Sequence, residues 1–276
     1  MKKLKLLSAF LLLTIPFTVN AQKLPGKQEV SLWAPANVKI DGKATEWDNK
    51  LQAFNKATGV SYTVANDDKN LYVVIQAATP VIIRKIIAHG ITFTADYSSE
   101  KNTKQQLFIT YPQIRPNERG TIIGNFPLKK QPGNVAVSFK NPDSLMAVLN
   151  KELYNKGIEI KITGTKIGDD TVTSIYNEIG IKAAAQFDHK LALTYELAIP
   201  LKYMEIAAND LPLISYNVKL NGTAYADNVS ISLTPDGGAT IRDAGTGMRV
   251  ILTNTPESLT YDFPTDFSGK YTLARK

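Results

Sequence analysis

The chain has 276 residues, 43% of them hydrophobic and 21% charged, with 17 glycines, 14 prolines and no cysteine. Those proportions describe a folded globular chain and exclude a disordered segment, a collagen-like repeat and a small disulfide-stapled domain. Lys plus Arg number 32 against 25 Asp plus Glu, but Lys2, Lys3 and Lys5 belong to a basic leader, and setting them aside leaves 29 basic residues and lowers the net charge from +7 to +4.

The basic start runs into an apolar stretch, Leu6 to Val19, interrupted by Pro16 and followed by Val19-Asn20-Ala21 ahead of Gln22. A positive start, a short apolar centre and a small-residue cleavage site predict a secretory signal peptide over residues 1–21. The apolar run is shorter than the roughly 20 residues that a spanning helix needs. Export to the periplasm or the medium is therefore expected, and no cysteine follows the leader to carry a lipid. The remaining lysines are scattered, without the basic run of a nucleic-acid patch. No linker divides the rest, so residues 22–276 read as one domain.

Short alternating runs ended by Gly, Pro, Asn or Asp dominate that domain. Val38 to Ile40 is the first strand candidate, and Ser61 to Val64 with Leu71 to Gln76 reads as a hairpin across Asn66-Asp67-Asp68-Lys69-Asn70, because Asn and Asp side chains bond their own backbone in turns. Further strands are expected at Gly90 to Ala95, Gln106 to Tyr111, Gly157 to Ile162, Val172 to Glu178, Leu191 to Ile199, Leu213 to Leu220 and Met248 to Leu252. The tail Tyr261 to Lys276 reads as a closing strand, on the strand propensity of Tyr271-Thr272-Leu273, with a docking segment as the alternative. Helical spacing is confined to Ser144 to Tyr154, started by Asn141-Pro142-Asp143 and stopped by Gly157, and to Val81 to His89 between Pro80 and Gly90. The Gly- and Asp-rich segment Pro235 to Gly247 reads as a loop. Many short strands with one or two short helices predict an all-β, antiparallel sandwich.

Catalytic signatures are missing. The chain has no G-x-S-x-G elbow, no P-loop, no H-E-x-x-H and no cysteine nucleophile, and its two histidines, His89 and His189, lie far apart in sequence. Paired carboxylates leave little trace in sequence, since glycoside hydrolysis needs only two acids flanking a bond. Glu178 and Glu196 draw notice because each interrupts a β-rich run, Ser174 to Ile179 and Thr194 to Ile199. Their simplest placement is the outward face of an alternating strand.

Val38-Lys39-Ile40-Asp41-Gly42-Lys43-Ala44-Thr45-Glu46-Trp47 resembles the opening of family 9 carbohydrate-binding modules and their DOMON-like relatives. Tyr62 to Asp67 with Leu71 to Ile75 resembles that family's hairpin, Gly90 to Asp96 its next strand, and Tyr195-Glu196-Leu197-Ala198-Ile199-Pro200 its late strand. The resemblance implies a jelly-roll or immunoglobulin-like sandwich in which Asp41, Gly42, Glu46, Trp47, Glu196 and Pro200 specify the fold. It also implies binding of polysaccharide ends, with structural calcium in some members.

Two departures stand beside it. No enzyme module is attached, so a role in glycan breakdown would be played in trans. The family's slot of two facing tryptophans also has no counterpart, since the chain has only Trp33 and Trp47. Sugar rings need an aromatic face and planar polar groups, so Tyr97, Tyr111 and Tyr176 are the expected replacements, with Asp96 and Glu178 as polar partners. Asn66, Asp67 and Asp68, and more remotely Asp169 and Asp170, offer the clustered oxygens that suit calcium. The expected function is noncatalytic binding of a poly- or oligosaccharide. An envelope structural or protein-interaction module is the first alternative, and a stand-alone glycoside hydrolase the second.

Overall fold

The computed structural model describes residues 24–98, 104–125, 141–164, 168–204, 213–223, 229–235, 239–243, 249–252 and 256–276. The leader lies outside them, as does part of the loop expected over Pro235 to Gly247. In chain order the elements are β1 (Leu32–Trp33), β2 (Ala53–Asn55), β3 (Val60–Asn66), β4 (Asn70–Ala77), α1 (Pro80–His89), β5 (Ile91–Ser98), β6 (Lys104–Tyr111), α2 (Pro116–Asn125), α3 (Pro142–Lys156), β7 (Glu159–Gly164), β8 (Gly168–Ser174) and β9 (Lys182–Phe187). They continue with β10 (Leu193–Pro200), a single 3-10 turn (Leu201–Met204), β11 (Leu213–Leu220), β12 (Val229–Leu233), β13 (Ala239–Asp243), β14 (Arg249–Leu252), α4 (Pro256–Asp262) and β15 (Thr265–Thr272). Among the described residues no helix is long and apolar enough to cross a membrane.

Two six-stranded sheets carry the fold. The first runs β1-β3-β4-β10-β9, with β2 also on β3, and the second runs β15-β11-β5-β6-β7-β8. Pairing is antiparallel except for the short β1 against β3, and β12-β13-β14 form a separate small sheet. Side chains alternate across a strand, so Tyr62, Val73 and Leu197 of the first sheet meet Phe93, Ile109 and Val218 of the second in one core. Tyr62 and Phe267 bridge the sheets with ring centroids 4.4 Å apart. The all-β sandwich expected from the sequence is therefore what the chain forms, with four short helices in place of one or two. Helix α1 carries the chain from β4 in one sheet to β5 in the other and buries Ile82, Ile83, Ile86 and Ile87 in the core.

The expected strand at Val38 to Ile40 is a correction. Residues 34–51 make no ladder but lie across the outer face of the first sheet, where Ala34, Ala44, Trp47 and Leu51 bury Tyr72, Val74 and Ala198 in a second, smaller core. That cover explains why β4 and β10 are buried on both faces along most of their length.

The chain end closes the sandwich as expected, since β15 pairs along the whole of β11. Asn66 holds it there. Its Oδ1 accepts the Ala274 N–H at 2.7 Å and lies 2.8 Å from the Tyr271 hydroxyl, while its Nδ2 donates to the Ala274 carbonyl at 3.1 Å. Asn66→Ala is expected to lower the unfolding free energy by about 2 kcal/mol, because it leaves buried polar partners unsatisfied. Urea denaturation checks this, and an unchanged midpoint would refute it.

Candidate functional site

Strand β9 forms one edge of the first sheet, and two clefts lie beside it. The first, about 550 Å³, is walled by α3, by the turn after β8, by the end of β6 and by Ile40 and Asp41 of the covering segment. The second, about 850 Å³, is walled by Gly42 to Thr45, by the β9–β10 turn and by Met146 of α3. Asn150 and Gln186 line both.

Helix α3 is placed by local signals already in the sequence. The Asn141 side chain caps it by accepting the Asp143 N–H, Pro142 sits in the first turn, and Leu145, Leu149 and Leu153 bury its inner stripe. Asn150 and Tyr154 are four residues apart and so share a flank. Asn150 completes the β9 edge as a neighbouring strand would, with Oδ1 accepting the Phe187 N–H at 2.7 Å and Nδ2 donating to the Phe187 carbonyl at 2.9 Å. Tyr154 remains 70% exposed.

The turn after β8 supplies the opposing wall. Ser174 Oγ accepts the Tyr176 N–H at 3.1 Å, and the Asn177 amide donates to the Ser174 and Ile181 carbonyls and accepts the Gly180 N–H. These bonds end the strand at Ser174 and present Tyr176, 68% exposed, to the cleft. The neighbouring Tyr154 hydroxyl is the leading reason that the Tyr176 hydroxyl is pushed above its usual range. Both exposed side chains line the first cleft.

Of the predicted tyrosines, only Tyr176 is presented in this way. Tyr97 is 4% exposed and donates its hydroxyl to the Tyr203 carbonyl, and Tyr111 is 2% exposed. Both are corrections with one cause. Tyr97 shares strand parity with Phe93 and Ala95, and Tyr111 with Leu107 and Ile109, so both rings point into the core. The buried Tyr111 hydroxyl still reaches the floor of the first cleft, where it is bonded to the Ala185 backbone, and burial raises its pKa. Asp96 lies on the outer face of the second sheet, where it accepts the Gln106 amide at 2.7 Å, and does not line either cleft. Glu178 sits in the turn, not in a strand, and faces solvent.

Glu196 takes the outward face expected of it but is 0% exposed, because the covering segment buries that face. It lies on the outer face of β10 under the covering segment. Its Oε2 accepts the N–H groups of Asp41 and Gly42 at 3.0 and 2.9 Å, and its Oε1 accepts Trp47 Nε1 at 3.2 Å. The first and last of the four segments that carry the family resemblance therefore meet at one carboxylate. Burial pushes its pKa up to about 7, against the opposing pull of its three N–H donors. Glu46 instead accepts the Thr45 hydroxyl at 2.8 Å, and Pro200 ends β10 opposite Asn70. Gly42 has φ +82°, and a Cβ there would meet Gln186 N at 2.6 Å, so only glycine lets the segment approach β9.

The carboxylates lining the clefts close their own turns. Asp41 Oδ1 accepts the Lys43 N–H at 3.0 Å, and Asp188 Oδ1 accepts the Lys190 and Ala192 N–H groups at 2.8 and 2.9 Å. His189 lines the second cleft, whereas His89 packs on the Tyr261 ring, so the two histidines have separate surroundings. Asp67 closes the β3–β4 hairpin by accepting the Lys69 and Asn70 N–H groups at 2.7 Å and the Tyr72 hydroxyl at 2.7 Å. With Asn66 tied to the chain end, the proposed calcium oxygens of both residues already have protein partners. No protein-family model matches the chain, and no curated protein matches it.

Proposed function

We propose that the protein is an exported, noncatalytic carbohydrate-binding sandwich of the family 9-like kind, which holds an oligosaccharide in the cleft between α3 and the turn after β8. The observation that carries this reading is that two exposed tyrosines, Tyr154 and Tyr176, line one cleft together with the amide side chains Asn150, Asn177 and Gln186. Aromatic faces suit the CH-rich side of a sugar ring, and planar amides suit its hydroxyls. Noncatalytic binding fits the two cleft carboxylates, Asp41 and Asp188, which are engaged by their own turns. The signal-peptide pattern of residues 1–21 supports a site of action outside the cytoplasm, where glycan breakdown could be assisted in trans.

A glycan array followed by calorimetry tests the reading, run with calcium and with a chelator. Saturable binding is expected, and Tyr154→Ala and Tyr176→Ala are each expected to weaken it about tenfold, the equivalent of one lost aromatic contact. Both rings are exposed, so thermal stability should not change. Binding that survives both substitutions would move the site elsewhere. No binding to any glycan would end the carbohydrate reading for the glycans tested and favour a protein-interaction module. Lower thermal stability under the chelator would support a structural calcium.

A further inference from the structure

The two clefts share Asn150 and Gln186 as lining residues and so lie side by side along the β9 edge. The floor of the second cleft is a polar row across the first sheet. Gln76, Thr194 and Gln186 stand in register on β4, β10 and β9, and the Gln76 amide donates to the Thr194 hydroxyl at 3.2 Å. In the next row along, Val74 and Glu196 are buried under the covering segment, while Ala184 lines the first cleft. The open part of the sheet face is therefore a hydrogen-bonding floor, not an apolar one.

Charge around the clefts is weighted to the basic side, three ammonium groups against two carboxylates, Asp41 and Asp188. Lys182 lines the first cleft, and Lys43 and Lys190 line the second. Among the described residues neither Lys182 nor Lys190 forms an ion pair, and Lys43 reaches Asp41 only at 3.9 Å. The two carboxylates on the walls are turned to backbone N–H groups of their own turns. Three ammonium groups thus outnumber two carboxylates that are held toward their own turns, and ammoniums are adaptable point charges able to meet an anion in several orientations.

We propose that the adjoining clefts take an anionic oligosaccharide, with one ring against Tyr154 and Tyr176 and its carboxylate or sulfate groups along Lys182, Lys43 and Lys190. The inference rests on the carbohydrate-binding reading and adds the ligand's charge and its extent over both clefts.

Calorimetry with three oligomers of equal length tests it: an oligogalacturonide, its neutral carboxyl-reduced counterpart and a sulfated galactan oligosaccharide. An exposed charge pair contributes up to roughly 1 kcal/mol, so two lysines together should give an acidic oligomer about a tenfold advantage over the neutral one at low salt. That advantage should shrink as added salt shortens the screening length below about 10 Å. The double variant Lys182→Gln/Lys190→Gln is expected to remove most of the difference while leaving thermal stability unchanged. A preference for one acidic oligomer supports the proposal and identifies carboxylate or sulfate as the group read. Equal binding of acidic and neutral oligomers overturns it while leaving carbohydrate binding intact. Acidic binding that is indifferent to Tyr154→Ala and Tyr176→Ala overturns it as general attraction to polyanions, and no binding by any oligomer overturns it while the glycan array decides the carbohydrate reading.

Discussion

Glu196→Ala is expected to lower the unfolding free energy by about 3 to 5 kcal/mol, the range for removing one partner from a buried, hydrogen-bonded charge. The substitution leaves the Asp41 and Gly42 N–H groups and the Trp47 indole N–H without their acceptor. Each unsatisfied buried donor costs about 1 to 3 kcal/mol, and partial opening of the segment to water limits their sum. The same opening would uncover Tyr72, on which Trp47 packs edge-on at 6.2 Å, so a red shift in tryptophan emission should accompany the stability loss. Urea denaturation followed by fluorescence reads both, and a variant with unchanged midpoint and emission would show that Glu196 does not hold the cover.

The pH dependence of this residue has a definite sign. Its native pKa is raised from 4.5 to about 7, so between those values the native state keeps a proton that the unfolded chain has released. Its contribution is fully present below about pH 4.5 and is lost as pH rises through 7, an effect of about 3 kcal/mol across the window. His89 opposes it. Burial lowers the His89 pKa from 6.5 to about 4, so its contribution is present above 6.5 and is lost as pH falls toward 4. The native protein should therefore show a nearly level stability between pH 4.5 and 6.5. Glu196→Gln is expected to unmask the histidine as a profile that rises with pH over that range.

The strands that the sequence displays best are those with one face buried. Leu213 to Leu220 and Gln106 to Tyr111 alternate cleanly, and they form β11 and β6 with the expected parity. Strand β9 was invisible because Lys182-Ala-Ala-Ala-Gln-Phe187 carries neither alternation nor β-branched residues. Pairing with β10 along six residues overrides that weak preference. The same parity argument would have withdrawn Tyr97 and Tyr111 from the site. Tyr154 was legible only as the end of a helix, and its meeting with Tyr176 depends on a turn closed by Ser174 and Asn177, which reads as a strand continuing to Glu178. The Glu196 anchor spans 154 residues to Gly42, so local pattern marks its two ends and only the folded chain joins them.

Lys85 offers a comparable test at the other side of the pH scale. The residue is 0% exposed on α1, and its ammonium donates to the Phe263 carbonyl and to the Thr265 hydroxyl, which ties α1 to the start of β15. Burial lowers its pKa from 10.5 to about 8, against the pull of the Asp262 charge. The unfolded chain then binds more protons than the native state between those values, so stability rises with pH through the window, by about 3 kcal/mol if the whole of it is traversed. Buried tyrosines such as Tyr195 reverse the trend above pH 10, because their native pKa values are raised. The rise is therefore to be read between pH 8 and 10. Lys85→Met keeps the apolar stem and removes the desolvated charge, and it should abolish the rise at a small cost near pH 7. Lys85→Ala also empties the space of the stem and is expected to lose about 3 kcal/mol at pH 7. Thermal unfolding of the three proteins at pH 7, 8, 9 and 10 separates these effects, and a methionine variant that still gains stability between pH 8 and 10 would show that another group is responsible.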